Sequence, residues 1–132
     1  MFAGIHDSRL MAYSVNSETQ EVVLTFHPHQ GSAASSVALT FYGVAAHCFD
    51  APLLPAILAA VIPVSAAWLL NNQWPSIERG YRQCGWPGPW ADTLANATRF
   101  VEVSSLQGFQ IESSYGLSGW VLARSAKAVA SP

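Results

Sequence analysis

The chain has 132 residues, a length that suits a single domain over residues 1–132 and allows a core without a metal or disulfide. Hydrophobic residues make up 51% of the chain and charged residues only 11%, which excludes intrinsic disorder. Six basic and eight acidic residues give a net charge of −2 without a basic run, which argues against a nucleic-acid partner.

The N-terminus lacks the features of a secretory signal. It reads MFAGIHDSRL, with no basic start and no apolar run. The cysteines Cys48 and Cys84 are widely separated and match no redox or metal motif. We therefore expect a cytoplasmic protein with two buried, reduced thiols.

Alternating apolar residues predict strands in the first part of the chain. Met11, Tyr13 and Val15 are all apolar at every second position, the pattern of a half-buried strand. Residues 16–19 (NSET) are typical of a turn, and residues 21–26 (EVVLTF) predict a second strand that forms a hairpin with the first.

A third strand is predicted over residues 37–44 (VALTFYGV), after a small, polar loop. Gly43 within it indicates a bulge or a close backbone approach, and the strand can continue through Phe49. Three successive strands favour an antiparallel meander.

Residues 51–70 contain no charge and have the length of a membrane-spanning helix. Three prolines interrupt the segment and no Lys or Arg flanks it, so a membrane span is not expected. A short amphipathic helix capped by Asp50 is predicted instead, because apolar residues fall at helical spacing. These residues are Leu54, Ile57, Leu58, Val61 and Ile62.

A second helix is predicted over Ser76–Gln83. Pro75 suits its first turn, and Cys84-Gly85 provides a stop. The following residues 86–90 (WPGPW) contain two prolines and a glycine, so they predict a compact aromatic turn rather than regular structure.

The last third of the chain returns to strand patterns. Two or three strands are predicted, around residues 100–103, 109–111 and 120–122, and the tail from Ser125 is expected to fray. The predicted fold class is α+β: an antiparallel sheet built from the N-terminal three-stranded meander and the C-terminal strands, with a short helical middle segment.

The aromatic turn is the strongest candidate for a binding surface. Trp86 and Trp90, with Trp74 and Tyr81 nearby in sequence, could line a ligand groove or a protein interface, where tryptophan is enriched. The alternative, which we favour, is that the rings fold back as a plug over the sheet.

Histidines provide a second candidate site. His27 and His29 flank Pro28 and share a face if the stretch is extended, and His47 and Asp50 could add ligands for a metal. The alternative is that these side chains are simply solvated. Cys48 beside His47 is expected to be a buried thiol rather than a nucleophile, because its neighbours are apolar.

The sequence contains no glycine-rich phosphate motif, no hydrolase nucleophile elbow and no zincin motif. No cofactor is therefore expected. A metal- or small-ligand-dependent enzyme that uses His27, His29, His47 and Asp50 is kept as an alternative function.

Three motifs of the first part of the chain carry a family resemblance. They are H-D-S-R-L at 6–10, V-x-L-x-F at 22–26 and L-x-F-x-G-V at 39–44. This pattern resembles small uncharacterised bacterial proteins that open with an H-D-x-x-L strand, some of which are grouped with immunity proteins of polymorphic toxin systems. The resemblance covers about the first 50 residues and implies a binding role, with no catalytic residues.

These observations lead to one expected function. We expect a small bacterial protein-binding module, not an enzyme, acting as an immunity or accessory protein on a partner such as a toxin. We also expect a homodimer formed through the charge-poor surface, since exposed apolar patches mark contacts and isologous dimers are the commonest oligomers.

Overall fold

In a computed structural model the chain is described over residues 7–28, 35–50 and 56–131. The elements are mainly strands, joined through two helices in the middle of the chain. In order they are β1 (Ser8–Asn16), β2 (Glu21–His27), β3 (Ser36–Tyr42), β4 (Ala46–Asp50), β5 (Ala56–Ser65), α1 (Ala66–Cys84), a single 3₁₀ turn (Pro89–Ala91), α2 (Leu94–Val103), β6 (Gln107–Tyr115), β7 (Ser118–Ala123) and β8 (Ser125–Ser131).

All eight strands belong to one antiparallel sheet with the order β4-β7-β6-β5-β1-β2-β3-β8. The two ends of this order meet, because β3 runs into β4 and β7 runs into β8. Two hydrogen bonds join the β3–β4 segment to the β7–β8 segment where each bends. Arg124 N–H donates to Tyr42 O, and Ala45 N–H donates to Leu122 O, each at 2.9 Å. The sheet therefore closes on itself.

Gly43 lies at the bend between β3 and β4, and the conformation there requires a glycine. Its φ is +60°, and an added Cβ would lie 2.9 Å from the side chain of Arg124. A larger residue would face both left-handed backbone strain and a close contact. The bulge that the sequence predicts at Gly43 is thus a bend between two strands.

Two apolar clusters stabilise the fold. The first fills the inside of the closed sheet, where Phe41 of β3 and Phe109 of β6 pack edge to face with ring centroids 5.2 Å apart. The second lies on the outer face, between the helices and strands β4 and β7, and includes Leu69, Leu70 and Trp120. Burial on both faces explains why so much of the chain is uncharged.

The α+β class and the N-terminal meander β1-β2-β3 are confirmed, but the helix predicted within residues 51–62 is wrong. Ala56–Ser65 is strand β5, which pairs with β6 along its length. A short apolar run does not distinguish a strand from a helix by spacing alone, so the long-range partner decides. Among the described residues, β1 pairs with β5 at residues 56–58 and not at Pro63. The proposed cap Asp50 ends β4, and Leu54 lies outside the described residues.

The predicted helix around residues 76–83 is longer than expected. Helix α1 begins at Ala66, where Ser65 Oγ accepts the Trp68 N–H at 3.0 Å, and it continues through Pro75. Its end is confirmed at Gly85, which has a φ of +73°. Within the described residues, neither helix is long and apolar enough to cross a membrane.

Two C-terminal predictions are also wrong. Residues 100–103 belong to helix α2, which Thr93 caps by accepting the Asn96 N–H at 3.1 Å. The tail does not fray, because β8 pairs with β3 in unbroken register from Ser36 opposite Ser131 to Tyr42 opposite Ser125. The strands predicted around residues 109–111 and 120–122 are confirmed as β6 and β7.

Candidate functional site

A row of large hydrophobic side chains on β1 is exposed. Met11, Tyr13 and Val15 have exposed fractions of 43%, 42% and 49%. The prediction that they form the buried face of the strand is wrong. Instead Ser8 and Leu10 are buried at its start. Tyr13 and Val15 share one face of the strand, opposite Leu24 and Val22, whereas Met11 lies at a shift in the β1–β2 register. We call Tyr13 and Val15 the β1 patch.

An irregularity in the strand explains this exposure. The pairing of β1 with β2 shifts between Leu10 and Ala12, as in a β-bulge. After the shift, Tyr13 lies opposite Leu24 and Val15 opposite Val22, so both share the inner face of the sheet. In the described residues, β1 pairs with β5 only at 8–10. Tyr13 and Val15 are therefore inner-face residues that are nevertheless exposed.

Aromatic contacts connect the β1 patch to β4. The ring of Tyr13 meets that of Phe49 edge-on at a centroid distance of 5.7 Å, and Phe49 lies 5.3 Å from the ring of His47. His47 pairs with Val121 of β7, whose side chain lies in the inner core. Phe49 and His47 thus lie on the same inner face as Tyr13.

A groove of about 240 Å³ adjoins this surface. It lies between the β1–β2 turn, the bend between β3 and β4, and the segment that follows α1. Twelve residues line it, from all three segments: Val15, Asn16, Ser17, Gln20, Glu21, Val22, Val44, Ala45, Ala46, His47, Trp86 and Pro87. The β1 patch is continuous with the groove, because Val15 belongs to both.

Trp86 is fixed in the groove wall by close packing. Helix α1 ends at Gly85, and the Trp86 ring lies so close to Gly80 that an added Cβ there would be 2.5 Å from it. The Trp86 ring is also 6.0 Å from the ring of Trp120. Trp86 is thus a half-buried, rigid wall.

Two polar side chains in the groove are half-buried: the Glu21 carboxylate and the His47 imidazole. Within the described part of the chain, neither makes a hydrogen bond or an ion pair. Burial lowers the pKa of His47, so its ring is neutral at pH 7. The groove therefore combines one negative charge with a neutral group that can accept or donate a hydrogen bond.

Of the four aromatic residues predicted as a binding site, only Trp86 lines the groove. All four pack against the outer cluster, as the plug interpretation describes. Trp90 stacks on Phe100 at 4.6 Å, and Trp74 Nε1–H donates to the Glu78 carboxylate at 3.1 Å. Tyr81 packs against the same cluster.

Three of the four predicted metal ligands lie within the described residues, and the structure does not bring those three together. His27 ends β2 opposite the start of β3, and its Nδ1 lies 2.6 Å from Ser35 O. His47 follows the other end of β3, roughly 20 Å further along the chain. Asp50 is exposed at the end of β4, and His29 lies outside the described residues. No group of three His, Cys, Asp or Glu side chains suited to a metal occurs in the part of the chain that is described.

The cysteines differ from each other. Cys84 is exposed, so the prediction of two buried thiols is wrong for this residue. Cys48 is half-buried, and both burial and the negative charge of Asp50 raise the pKa of its thiol. A raised pKa disfavours the reactive thiolate, so Cys48 is poorly suited to nucleophilic catalysis.

Several groove residues were not predicted from the sequence. Asn16, Gln20 and Glu21 read as ordinary turn and strand residues, and only the folded turn brings them near Trp86. Comparison of the chain with family models, curated proteins and solved structures gives no match. The function is therefore argued from the geometry of the site itself.

Proposed function

We propose that the chain is a protein-binding module whose contact surface is the β1 patch together with the adjoining groove. The observation that carries this proposal is the exposure of Tyr13 and Val15 side by side on the inner face of one strand. Contiguous exposed apolar side chains on a small domain mark interaction sites. The adjoining groove, which is open to solvent, supplies the pocket that anchor residues of a partner use at interfaces.

The chemistry of this surface favours binding over catalysis. The thiol of Cys48 is disfavoured as a nucleophile by its raised pKa, and the described ligand candidates His27, His47 and Asp50 do not form a cluster. What the surface offers is apolar area, aromatic rings and a few polar groups. That composition matches the core and rim of a protein interface.

We further propose a toxin as the class of partner. This part of the proposal rests on the resemblance of the first 50 or so residues to immunity proteins. Binding to a second copy of the chain is the competing possibility, since the same apolar side chains could be buried in an isologous dimer.

Purification from host cells with bound proteins tests the proposal. Tyr13→Asp should abolish retention of the partner, because it places a charge in the β1 patch. Val103→Asp is the matched control, since Val103 is 79% exposed on α2 and is not among the described residues that line the groove. Equal retention by both variants would contradict the proposal. Light scattering of the purified chain would reveal a dimer, and loss of that dimer in Tyr13→Asp would identify a second copy as the occupant.

A further inference from the structure

We infer that the groove is a recognition pocket for an arginine side chain presented by the protein partner. This inference rests on the proposed function and specifies the chemistry of the residue that anchors the partner. It follows from the charge, the aromatic wall and the size of the groove.

The charge in the groove is negative and lacks a partner. Glu21 is the only residue lining it that carries a formal charge at neutral pH, and no lysine or arginine is among the described residues of the lining. The Glu21 carboxylate is half-buried and forms no ion pair there. A half-buried carboxylate without a cation is stabilised by a ligand that brings one.

The aromatic wall selects the form of the cation. Trp86 packs against Gly80 and Trp120 and lines the groove together with Pro87. Tryptophan is the most favourable side chain for a cation–π contact. A planar guanidinium stacks on such a ring while donating hydrogen bonds to a carboxylate, which an ammonium group does less well.

His47 is compatible with this ligand. Its imidazole is neutral at pH 7, because burial lowers its pKa, so it does not repel a cation. Its free ring nitrogen accepts a hydrogen bond, and the guanidinium has five N–H groups to donate. Glu21 and His47 would therefore accept hydrogen bonds from different N–H groups of the same guanidinium.

The remaining lining fits an aliphatic stem. Val15 and Val44 provide apolar surface, against which the methylene groups of arginine can pack. A volume of about 240 Å³ lies below the range of roughly 300–1,000 Å³ that is common for pockets of whole small-molecule ligands. The groove thus suits one long side chain rather than a complete cofactor.

The test uses N-acetyl-arginine amide as a probe of the folded protein, with N-acetyl-citrulline amide as its neutral isostere. We expect saturable NMR shifts at Gln20, Glu21, His47 and the Trp86 indole N–H, with a Kd on the order of 1 mM. Glu21→Gln should weaken binding about two- to five-fold. Glu112→Gln, at an exposed site on β6, should leave it unchanged.

Three results would overturn the inference: no saturable shift with the arginine probe, equal binding of the citrulline probe, or equal affinity in Glu21→Gln. These outcomes are distinct from failure of the proposed function. If Tyr13→Asp loses a protein partner and the groove does not bind the arginine probe, the proposed protein-binding function is supported. The partner residue that enters the groove is then not an arginine. If the arginine probe binds but no protein partner depends on Tyr13, the groove is an arginine site and the proposed protein-binding surface is refuted.

Discussion

The ring of Tyr13 on β1 meets the ring of Phe49 on β4 edge-on, at 5.7 Å between centroids. These two strands do not pair with each other in the sheet. The contact therefore bridges the inner face of the closed sheet at its exposed end. It connects the β1 patch with His47 and so with the groove.

A double-mutant cycle measures this contact. Tyr13→Ala and Phe49→Ala should show a coupling of about 0.5–1.5 kcal/mol in the free energy of unfolding, as expected for an edge-to-face aromatic pair. Urea denaturation of the two single variants and the double variant provides the measurement. Additive effects would show that the rings do not support each other in solution.

The stability of the fold should depend on the protonation of His47. Because burial lowers its pKa in the folded state, the unfolded chain, with a value near 6.5, binds a proton first as the pH falls. The free energy of unfolding is therefore unaffected by His47 above pH 6.5, where the ring is neutral in both states. It decreases as the pH falls from 6.5 towards the lowered pKa of the folded state.

Urea denaturation of the wild type and His47→Gln between pH 7.5 and 5 checks this expectation. The variant should lose less stability on acidification than the wild type. A His47 titration by NMR with a midpoint above 6.5 would contradict the account, since it would mean that the folded state stabilises the imidazolium.

Gly43 should tolerate substitution less well than Gly85 does. Gly43→Ala and Gly85→Ala both place a Cβ at positive φ, at a cost of about 1–2 kcal/mol. At Gly43 the Cβ also meets the Arg124 side chain, whereas at Gly85 nothing lies within 4 Å. We expect Gly43→Ala to lower the free energy of unfolding by about 1 kcal/mol more than Gly85→Ala does. Arg124→Ala should remove this difference, and persistence of the full difference would assign it to the backbone.

The two cysteines should differ in their rate of alkylation. Iodoacetamide at pH 7.5 should modify exposed Cys84 first, because burial and the charge of Asp50 raise the pKa of Cys48. Mass spectrometry of proteolytic fragments measures both rates. Asp50→Asn should accelerate reaction at Cys48 while leaving Cys84 unchanged. Faster modification of Cys48 than of Cys84 would contradict the described environments.

The strands that pair with a neighbour in sequence were predictable. The assignment of Ala56–Ser65 to a strand and of α2 to a helix was not. Alternation and turn residues are local signals, so the β1–β2 hairpin and β3 follow from the sequence. Whether Ala56–Ser65 forms a helix or a strand depends on β6, which is distant in sequence. For α2, the β-branched and aromatic residues near Val101 suggested a strand, although Thr93 carried a helix-capping signal.

The candidate site was predictable only in part. Trp86 was identified from the aromatic turn, and His47 from its neighbourhood in sequence. Tyr13 and Val15 were assigned to the buried face because the alternation continues through the strand, and a bulge at Leu10–Ala12 leaves no distinct mark in the sequence. The groove itself depends on three segments that meet only after folding.

Site-specific photo-crosslinking tests the central claim most directly. A photoreactive amino acid replaces Val15 in the β1 patch or, as control, Val103 on α2, and adducts are identified in host cells. The account predicts a defined adduct with one partner from position 15, which Tyr13→Asp abolishes and position 103 does not give. Absence of an adduct from position 15, or the same adducts from both positions, would contradict it.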